Sequence, residues 1–500
     1  MDILAFLGEG FLSALQPIPL MAAAIGVIIG TLTGVLPGLG VTGAMALLLP
    51  LSFGMDATAA IIMFAGIYYG AMYGGSTTAI LVNVPGESAS VITCLDGNQM
   101  AKKGRAGVAL SIAAIGSFIA GTLGVVGLTF FAPTLAKAAL SFGPPEYFAI
   151  AFLGLFILMN LTGDSPLKSL LMVLVGLMIG TVGLDAIAGV ERFTFGVDPL
   201  LRGIDFSIIA MAVFGISEVL YALVKSAPDM KVKKVKMKDL YPSKQDMKRS
   251  AGPIVRGGII GFLIGLLPGP AGTLASFSSY VAEKKISKHP EEFGHGAIEG
   301  VAGPESANNA ASSAALIPLL SLGLPFSPPA ALLLSGFIIH GITPGPALIT
   351  QHADLFWGLV ASMYIGNVLL LIINLPLVGI FASMLKTPVN ILMPIVLIIT
   401  FTGAYASNFS FFDLLILVLF GVFAFFIRNY GYSMAPLAVG IVLGPIIESG
   451  LTQGLIISGG SMLTMASRPI TGTLFAVTFV IILLTLMKPI KKVLLHSKEE

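Results

Sequence analysis

Long apolar runs recur along the chain and restrict what it can fold into. They include residues 108–131, 167–184, 356–377 and 414–426. A helix of about 20 apolar residues crosses a bilayer, and in lipid every backbone polar group must be bonded within the protein. Charged residues make up 10% of the chain, whereas soluble domains carry about 25%. The sequence predicts an all-α polytopic membrane protein with about 10–14 membrane segments.

One glycine pattern occurs twice. "GVIIGTLTGVLPG" covers residues 26–38 and "GGIIGFLIGLLPG" covers 257–269, with matched glycines at every fourth position. Glycines spaced by four give a smooth helix face that permits close packing in a membrane. The shared Leu-Pro-Gly must break each helix, because proline removes a backbone donor and glycine tolerates positive φ. The pattern predicts an internal repeat whose two copies each end in a break.

The first copy runs into residues 38–43, "GLGVTG", which match the G-x-G-x-x-G fingerprint of dinucleotide-binding turns. That fingerprint is meaningful only between a strand and a helix of a βαβ unit. Here it follows an apolar, glycine-spaced helix, so we interpret it as a hairpin tip in the membrane. The chain has no H-E-x-x-H motif and no clear Ser/His/Asp set. We therefore predict no enzyme activity, no cofactor and no nucleic-acid partner.

Basic residues mark the cytoplasmic side. Residues 225–250 carry nine Lys or Arg and three Asp, and such clusters stay in the cytoplasm by the positive-inside rule. "AKKGRAG" near residue 103 and "MKPIKKVLLHSK" near the C-terminus give the same signal. The segments predicted are a first membrane repeat (1–225), a basic cytoplasmic linker (226–252), a second membrane repeat (253–467), and an extra C-terminal helix with a cytoplasmic tail (468–500).

The charges also predict how the second repeat enters the membrane. Basic residues flank residues 258–280 on both sides, which indicates a re-entrant hairpin that turns near residues 267–270 and returns to the cytoplasm. Residues 340–354 contain no Lys or Arg, so this later loop is expected outside. We expect the first hairpin to enter from outside. Two structural repeats of inverted orientation follow from this interpretation.

Each half has a second break, at residues 76–90 and 303–330, where Ser, Thr, Asn and Glu surround a proline. Broken helices offer N–H groups to anions, and their carbonyls and hydroxyls can coordinate Na⁺. No Lys or Arg lies between residues 54 and 101 or between 293 and 350, so a bound anion would depend on helix ends, hydroxyls and amides. The predicted substrate-binding residues are Gly38, Gly40, Ser76, Thr77, Thr78, Asn83, Gly86, Gly269, Gly272, Asn308, Asn309, Ser312 and Ser313.

Three acidic residues need separate interpretations. Glu87 and Glu305 are candidates for the coupling cation or proton, because a carboxylate at membrane depth is costly. Glu87 has an alternative role as a cap on the helix after Pro85. Asp96 is expected at the membrane interface in a charge pair with Lys102. The residues leave the identity of any bound metal unknown, and Na⁺ and H⁺ are both open as coupling ions.

Long segments of the chain resemble a known family. "GVLPGLG", "YYGAMYGGSTTAILVNVPGESASVITCLDGNQMAKKGRAG" and "EGVAGPESANNAASSAALIPLLSLGLPFSPPAALLLSGFIIHGITPGP" are similar to the large membrane subunit of the tripartite tricarboxylate transporters. The resemblance implies a secondary carrier for citrate-like tri- and dicarboxylates, driven by a Na⁺ or proton gradient. It also implies two partners, a small membrane subunit and an extracytoplasmic solute-binding protein. Phe326 stands where the first half has Gly86, and we expect it to narrow or reshape that side of the site.

Together these observations predict a cation-coupled symporter in the cell (inner) membrane, with its C-terminus in the cytoplasm. The carboxylate substrate would bind between the hairpin tips near the bilayer midplane. Two alternatives remain at this point: an organic-anion channel, and a carrier for a different small anionic solute. A channel requires a continuous polar pore, whereas broken helices in inverted repeats are typical of carriers.

Overall fold

The computed structural model describes residues 2–36, 40–162, 165–185, 187–224, 237–384 and 389–496. The helices of the first half are α1 Ile3–Ala14, α2 Pro17–Val35, α3 Gly40–Leu48, α4 Ala57–Val82, α5 Thr93–Lys102, α6 Ala106–Ala139, α7 Pro144–Leu161, α8 Pro166–Gly180, α9 Phe206–Ala210 and α10 Ser217–Val224. Those of the second half are α11 Lys244–Gly265, α12 Ala271–Ile286, α13 Glu299–Ala314, α14 Leu316–Leu322, α15 Pro328–Ile339, α16 Pro346–Gln351, α17 Ala353–Met384, α18 Val389–Asn408, α19 Phe411–Asn429, α20 Met434–Ile457, α21 Met462–Ala466 and α22 Pro469–His496. Short 3-10 turns lie at Leu49–Gly54, Ser88–Ser90, Asp198–Arg202, Met237–Leu240 and Pro290–Glu292, and a π-helical segment, Met211–Ile216, joins α9 to α10.

Eight helices in the described part of the chain are long and apolar enough to cross a membrane. Shorter apolar helices accompany them, including α3, α8 and α15. The prediction of an all-α polytopic membrane protein is therefore confirmed. The apolar run at 167–184 is helical only as far as Gly180, because the chain then turns through Gly183 (φ 116°). Strand β1, Gly183–Leu184, pairs antiparallel with β2, Glu191–Arg192.

Two helices form the interior of the protein. Every residue of α4 from Ala59 to Leu81 is buried, and so is every residue of α13. A membrane helix that faced lipid would leave one side exposed, so α4 and α13 must be surrounded by other helices. They also contact each other, since the Ser76 hydroxyl on α4 donates a hydrogen bond to the Glu305 carboxylate on α13.

The two glycine seams pack as the sequence predicts. On α2, Gly26, Gly30 and Gly34 lie against the backbone of Met63, Ile67 and Ala71 on α4. On α11, Gly257, Gly261 and Gly265 lie against the backbone of Gly303, Ala307 and Ala311 on α13. Both contacts advance by four residues on each helix, so the register of the packing is the same. The internal repeat therefore has matched helix pairs, while the inverted orientation of the halves stays a prediction.

The second glycine-seamed helix belongs to a helical hairpin. Helix α11 ends at Gly265, the chain turns through residues 266–270, and α12 returns alongside it. Arg256 on α11 and Glu283 on α12 form an ion pair with a nitrogen–oxygen distance of 2.6 Å, which fixes the two arms side by side. Gly269, at the turn, has φ 131°, a conformation that residues with a side chain rarely adopt. The corresponding tip in the first half, including Gly38, lies outside the described residues.

The predicted linker is already helical before its end at residue 252. Helix α11 begins at Lys244, and the Ser243 hydroxyl caps it by accepting from the Asp246 N–H. Arg249 then donates to Glu299 on α13 (2.8 Å) and to Glu292 (2.6 Å). The hydrogen bond from Arg249 lowers the pKa of the Glu292 carboxyl. Part of the basic segment thus attaches the hairpin to α13, because its charges have acidic partners there.

The expected charge pair between Asp96 and Lys102 is absent among the described residues. The Asp96 side chain is fully buried and accepts hydrogen bonds from the N–H groups of Gly294 (2.9 Å), Gly296 (2.7 Å) and Ala297 (2.9 Å). The hydroxyl of Tyr280 donates a further bond of 2.8 Å. Helix α5 packs against α13, and Asp96 faces the loop that leads into α13 instead of Lys102. Asp96 therefore orders the loop that leads into α13, since a buried carboxylate needs such donors.

Candidate functional site

The two predicted breaks are present, and both expose backbone at the ends of helices. In the first half, α4 ends where Asn83 adopts a left-handed conformation (φ 60°), and the chain continues without helix to Ser88. In the second half, Gly323 (φ 73°) ends α14, and residues 324–327 are not helical before α15 begins. Asn83 is exposed at the end of its helix. Its local role is therefore helix termination.

A cavity of about 210 Å³ lies between the two halves. Its walls include the first turn of α3 and the loop before the 3-10 turn at Ser88. They also include the tip of the second hairpin, the first turn of α12 and the first turn of α15. Its lining includes Val41, Thr42, Tyr68, Glu87, Ser88, Gly269, Gly272, Thr273, Ser312, Ser327 and Pro328. The cavity is thus the place where elements of both repeats meet.

Hydrogen bonds hold these elements together around the cavity. The Thr273 hydroxyl in the second hairpin lies 3.0 Å from the Ser88 hydroxyl of the first half and donates to it. The Gly269 N–H donates to the Phe326 carbonyl at 3.2 Å, which ties the hairpin tip to the second break. The Phe326 ring lies against Gly154 on α7, within an apolar cluster. The expectation that Phe326 narrows the site is therefore wrong, because its ring points toward α7.

A second, larger cavity of about 460 Å³ shares part of this wall. Val41, Thr42, Glu87, Ser88, Phe214 and Ala435 line both. The larger cavity extends to the first turn of α10 at Glu218, to the last turn of α19 at Arg428, and to the following residues Tyr432 and Ser433. The sequence predicts no role in the site for Arg428. No local pattern could assign it to the cavity, because its position depends on how α19 packs against α10.

Glu87 lies on the wall shared by the two cavities. Its Oε1 accepts a hydrogen bond of 2.5 Å from the Val41 N–H, in the first turn of α3. The Glu87 side chain therefore caps α3. Glu87 is also the N-cap residue of the 3-10 turn after Pro85, where its N–H donates to the Ser90 hydroxyl at 3.3 Å, so the alternative capping role is present as well. Among the described residues it has no ion pair with a Lys or Arg. An uncompensated carboxylate thus borders the space in which an anion would bind.

Glu305 lies in a separate polar cluster inside the protein. Only 1% of its surface is exposed, and its carboxylate accepts from the hydroxyls of Ser76 and Thr93. The Asn309 amide, one turn further along α13, donates to the Ser117 hydroxyl (2.7 Å) and to the Glu305 carbonyl (3.0 Å). A void of about 20 Å³ borders Ser76, Thr77 and Ser117. Glu305 is therefore joined to hydroxyl donors, away from the two larger cavities.

Asn308 differs from its neighbour. It is fully buried, and neither atom of its amide has a hydrogen-bond partner among the described residues. A side chain at Gly272, in the first turn of α12, would approach the Asn308 Oδ1 to 2.8 Å. The amide thus faces the hairpin helix just behind the smaller cavity. An unpaired buried amide is costly, so it is available to a bound ligand or water.

The structure divides the predicted substrate-binding residues into two sets. Those that line the cavities are Gly40, Gly86, Gly269, Gly272 and Ser312. The others among the described residues lie behind them or elsewhere: Ser76, Thr77, Thr78, Asn83, Asn308, Asn309 and Ser313. Most of this second set is engaged locally; the Thr78 hydroxyl, for example, donates to the Gly75 carbonyl at 3.1 Å. Groups of three or more His, Cys, Asp or Glu that could hold a metal ion are absent from the described part of the chain.

Comparison with known sequences identifies the family. The chain matches the Tripartite tricarboxylate transporter TctA family over residues 20–439. It belongs to that family. It is also 49% identical over 491 residues to the "Uncharacterized 52.8 kDa protein in TAR-I ttuC' 3'region" of Agrobacterium vitis, covering 98% of both chains. A second Agrobacterium vitis protein, "Uncharacterized protein in TAR-II ttuC' 3'region", is 47% identical over 231 residues, which are 46% of this chain and 96% of the relative. No solved structure matches the chain.

Membership of the TctA family implies a component of a tricarboxylate transporter, in a family of transporters rather than of enzymes. It also implies association with a small membrane subunit and a periplasmic binding protein. The matched region contains both breaks, the second hairpin and every residue that lines the two cavities. The cavities are therefore the candidate transport site of this TctA-family chain.

Proposed function

We propose that this chain is the carrier subunit of a cation-coupled symporter that imports citrate-like tri- and dicarboxylates. One observation carries the proposal: the N-termini of α3, α12 and α15 converge on the cavity between the halves. Helix N-termini carry partial positive charge and free N–H groups, and they favour anions. The hydroxyls of Ser88 and Thr273 add hydrogen-bonding groups on the same wall. The substrate then binds between the hairpin tips without a Lys or Arg in the smaller cavity.

Glu87 supplies the reason for coupling. Its carboxylate lies on the same wall and repels a bound di- or tricarboxylate unless a proton or Na⁺ neutralises it. A cation at Glu87 therefore favours binding of the anion, and the anion favours binding of the cation, which is the thermodynamic requirement for symport. The hydrogen bond from Val41 positions the carboxylate at the start of α3.

Glu305 is the second candidate for the coupling proton or cation. Its oxygens accept from two hydroxyls, so protonation would disturb a satisfied buried network. Because it lies away from the anion cavity, a charge there acts on the substrate less directly than one at Glu87. We therefore assign the coupling role to Glu87 and expect Glu305 to hold α4, α5 and α13 together.

The proposal includes a location and partners. We place the chain in the cytoplasmic (inner) membrane with its C-terminus in the cytoplasm, because its basic segments are expected on that side. An extracytoplasmic solute-binding protein would deliver the carboxylate, and the small membrane subunit would pack on the exposed apolar helices. The family supports both partners.

Uptake into proteoliposomes tests the function. A panel of di- and tricarboxylates is offered with and without a cognate solute-binding protein, under Na⁺ and pH gradients imposed separately. We expect one or more carboxylates to accumulate above the external concentration and to be lost when an ionophore collapses the gradient. Flux that only equilibrates the anion would support the channel alternative. Absence of uptake of every carboxylate under either gradient would reject the proposal.

A further inference from the structure

An ion pair stands at the mouth of the larger cavity. The Arg428 Nη1 lies 2.6 Å from the Glu218 Oε2, and the two side chains are 40% and 14% exposed. Arg428 is in the last turn of α19, whereas Glu218 is in the first turn of α10. Both line the cavity that also contains Glu87. Because Arg428 lines the cavity and is also 40% exposed, we take this end of the cavity as its mouth, and the pair joins two helices there.

Further contacts fix the position of this mouth. The Arg428 guanidinium lies 4.8 Å from the centre of the Tyr221 ring, one turn beyond Glu218 on α10. Lys168 donates to the Tyr430 carbonyl at 2.6 Å and lies 5.1 Å from the centre of the Tyr432 ring. Arg428 thus attaches the end of α19 to α10, and Lys168 attaches the turn between α19 and α20 to α8. Arg428 is presented toward the cavity on an ordered turn.

Arg428 is unusual among the groups that line the two cavities. Within the described part of the chain it is the one Lys or Arg in either lining. Its planar guanidinium matches a carboxylate with two parallel hydrogen bonds, and it remains charged at every physiological pH. The guanidinium already donates a hydrogen bond to the Glu218 carboxylate. A substrate carboxylate of the same chemistry can therefore replace Glu218 when the anion reaches the mouth.

The charges of the sequence indicate which side this mouth faces. Helix α10, which carries Glu218, leads directly into the basic segment at residues 225–250. Such a segment stays in the cytoplasm. The larger cavity thus opens toward the cytoplasm, which is the side on which an imported anion is released.

We propose that Arg428 receives one carboxylate of the transported anion at the cytoplasmic mouth and that Glu218 is its partner when the anion is absent. Re-pairing of Glu218 with Arg428 then displaces the anion and completes release. This inference rests on the proposed transport of carboxylates and adds a binding residue specific to the release side. Arg428 acts on anion affinity at one side of the membrane, rather than on binding between the hairpin tips.

The test measures the transport rate of citrate and of the other carboxylates of the panel in oriented vesicles. The anion is added on one side at a time, and the half-saturating concentration is determined for each side. In R428Q we expect the half-saturating concentration on the cytoplasmic side to rise about tenfold or more, with little change on the other side, since a charged hydrogen bond is lost. R428K keeps the charge without the paired geometry and should fall between wild type and R428Q. E218Q frees the guanidinium, so the half-saturating concentration on the cytoplasmic side should fall and release should slow.

The matched control is R202Q. Arg202 pairs with Asp413 at 2.7 Å, with 43% and 10% exposure, at the opposite end of the same helix α19. Loss of the Arg202–Asp413 pair should leave the half-saturating concentration on the cytoplasmic side unchanged. R428Q then acts through the cavity and not through a general loosening of α19. If R428Q does not fold, the E218Q result decides. The inference about Arg428 would be overturned, with the proposed function left intact, by either of two results. One is an equal change of the half-saturating concentration on both sides, and the other is no change on the cytoplasmic side in R428Q or E218Q. A wild-type protein that transports no carboxylate would overturn the proposed function as well.

Discussion

At the scale of single residues, the neighbours Asn308 and Asn309 show how one helix divides its polar groups between structure and ligand. Both are buried on α13. The Asn309 amide donates to Ser117 and to the Glu305 carbonyl. The Asn308 amide has no partner among the described residues and faces Gly272. The same residue type therefore stabilises the fold at one position and is free to act at the next.

Leucine, which has nearly the shape of asparagine, separates these two roles. Asn309→Leu should lower the free energy of unfolding by about 1–3 kcal/mol, because it leaves buried polar groups unpaired. Asn308→Leu should change stability by less than about 1 kcal/mol, since no bond is lost, but should weaken carboxylate uptake. Thermal unfolding in detergent and uptake in proteoliposomes measure the two effects. Equal destabilisation by both changes would contradict this division.

Glu87 leads to a prediction about coupling. Glu87→Gln removes the charge beside the anion, so binding of the carboxylate without the coupling cation should tighten by roughly tenfold or more. Accumulation should at the same time lose its dependence on the cation gradient. Binding measured by calorimetry with and without Na⁺ at two pH values gives the first quantity, and uptake gives the second. Glu305→Gln is the comparison: coupling that fails there and persists in Glu87→Gln would reverse our assignment.

At the scale of helices, the glycine seams determine how closely α2 and α11 approach the two buried helices. Their glycines lie against backbone carbonyls, so the helix axes come as near as the backbone permits. The first turn of α3, the loop at Glu87 and Ser88, and the tip of the second hairpin lie beside one another and line the smaller cavity. The geometry of the site is therefore a consequence of small residues far from its lining.

A pair of neighbouring glycines on α11 tests this packing. Gly261→Ala should lower the free energy of unfolding by about 1–3 kcal/mol, because the added methyl group meets the Ala307 carbonyl. Gly258→Ala should be neutral or stabilising by up to about 1 kcal/mol, since its methyl group would lie 3.4 Å from the Ala120 Cβ and alanine favours helix. Denaturation curves of both variants measure the difference. Equal tolerance at both positions would show that the seam is not closely packed.

At the scale of the whole molecule, the open question is the orientation of the two repeats. The matched helix pairs α2–α4 and α11–α13 support a repeat, and the charges of the loops predict its inversion. In inverted repeats the two hairpins enter from opposite faces, which brings their tips together near the midplane. The shared cavity between the first and second halves is compatible with that arrangement.

Cysteine labelling tests the predicted topology of the second repeat, on which the inversion depends. The chain has one cysteine, Cys94, so a Cys94→Ser background allows single reporters. Lys288→Cys and Thr343→Cys replace exposed residues on the two loops of the second half. We expect a membrane-impermeant thiol reagent to label Lys288→Cys only from the cytoplasmic side and Thr343→Cys only from outside. Labelling of both positions from the same side would contradict the predicted topology.

The sequence by itself determined the class of protein, the glycine seams, the breaks and the second hairpin. Each of these depends on local properties of the chain: apolar length, residue size at a fixed helical spacing, and the backbone limits of proline and glycine. The resemblance to the family rested on the same local motifs, and the match to the family model confirmed the family.

Only the tertiary structure decided which polar groups meet. Thr273 and Ser88 are 185 residues apart, and Asp96 lies 201 residues from the Ala297 N–H that it accepts from. Arg428 comes to the cavity because α19 packs on α10, and Phe326 turns away from it because α7 offers a glycine. Such contacts depend on the packing of distant helices, and no pattern along the chain encodes them. The sequence determined the elements, and their packing decided the site.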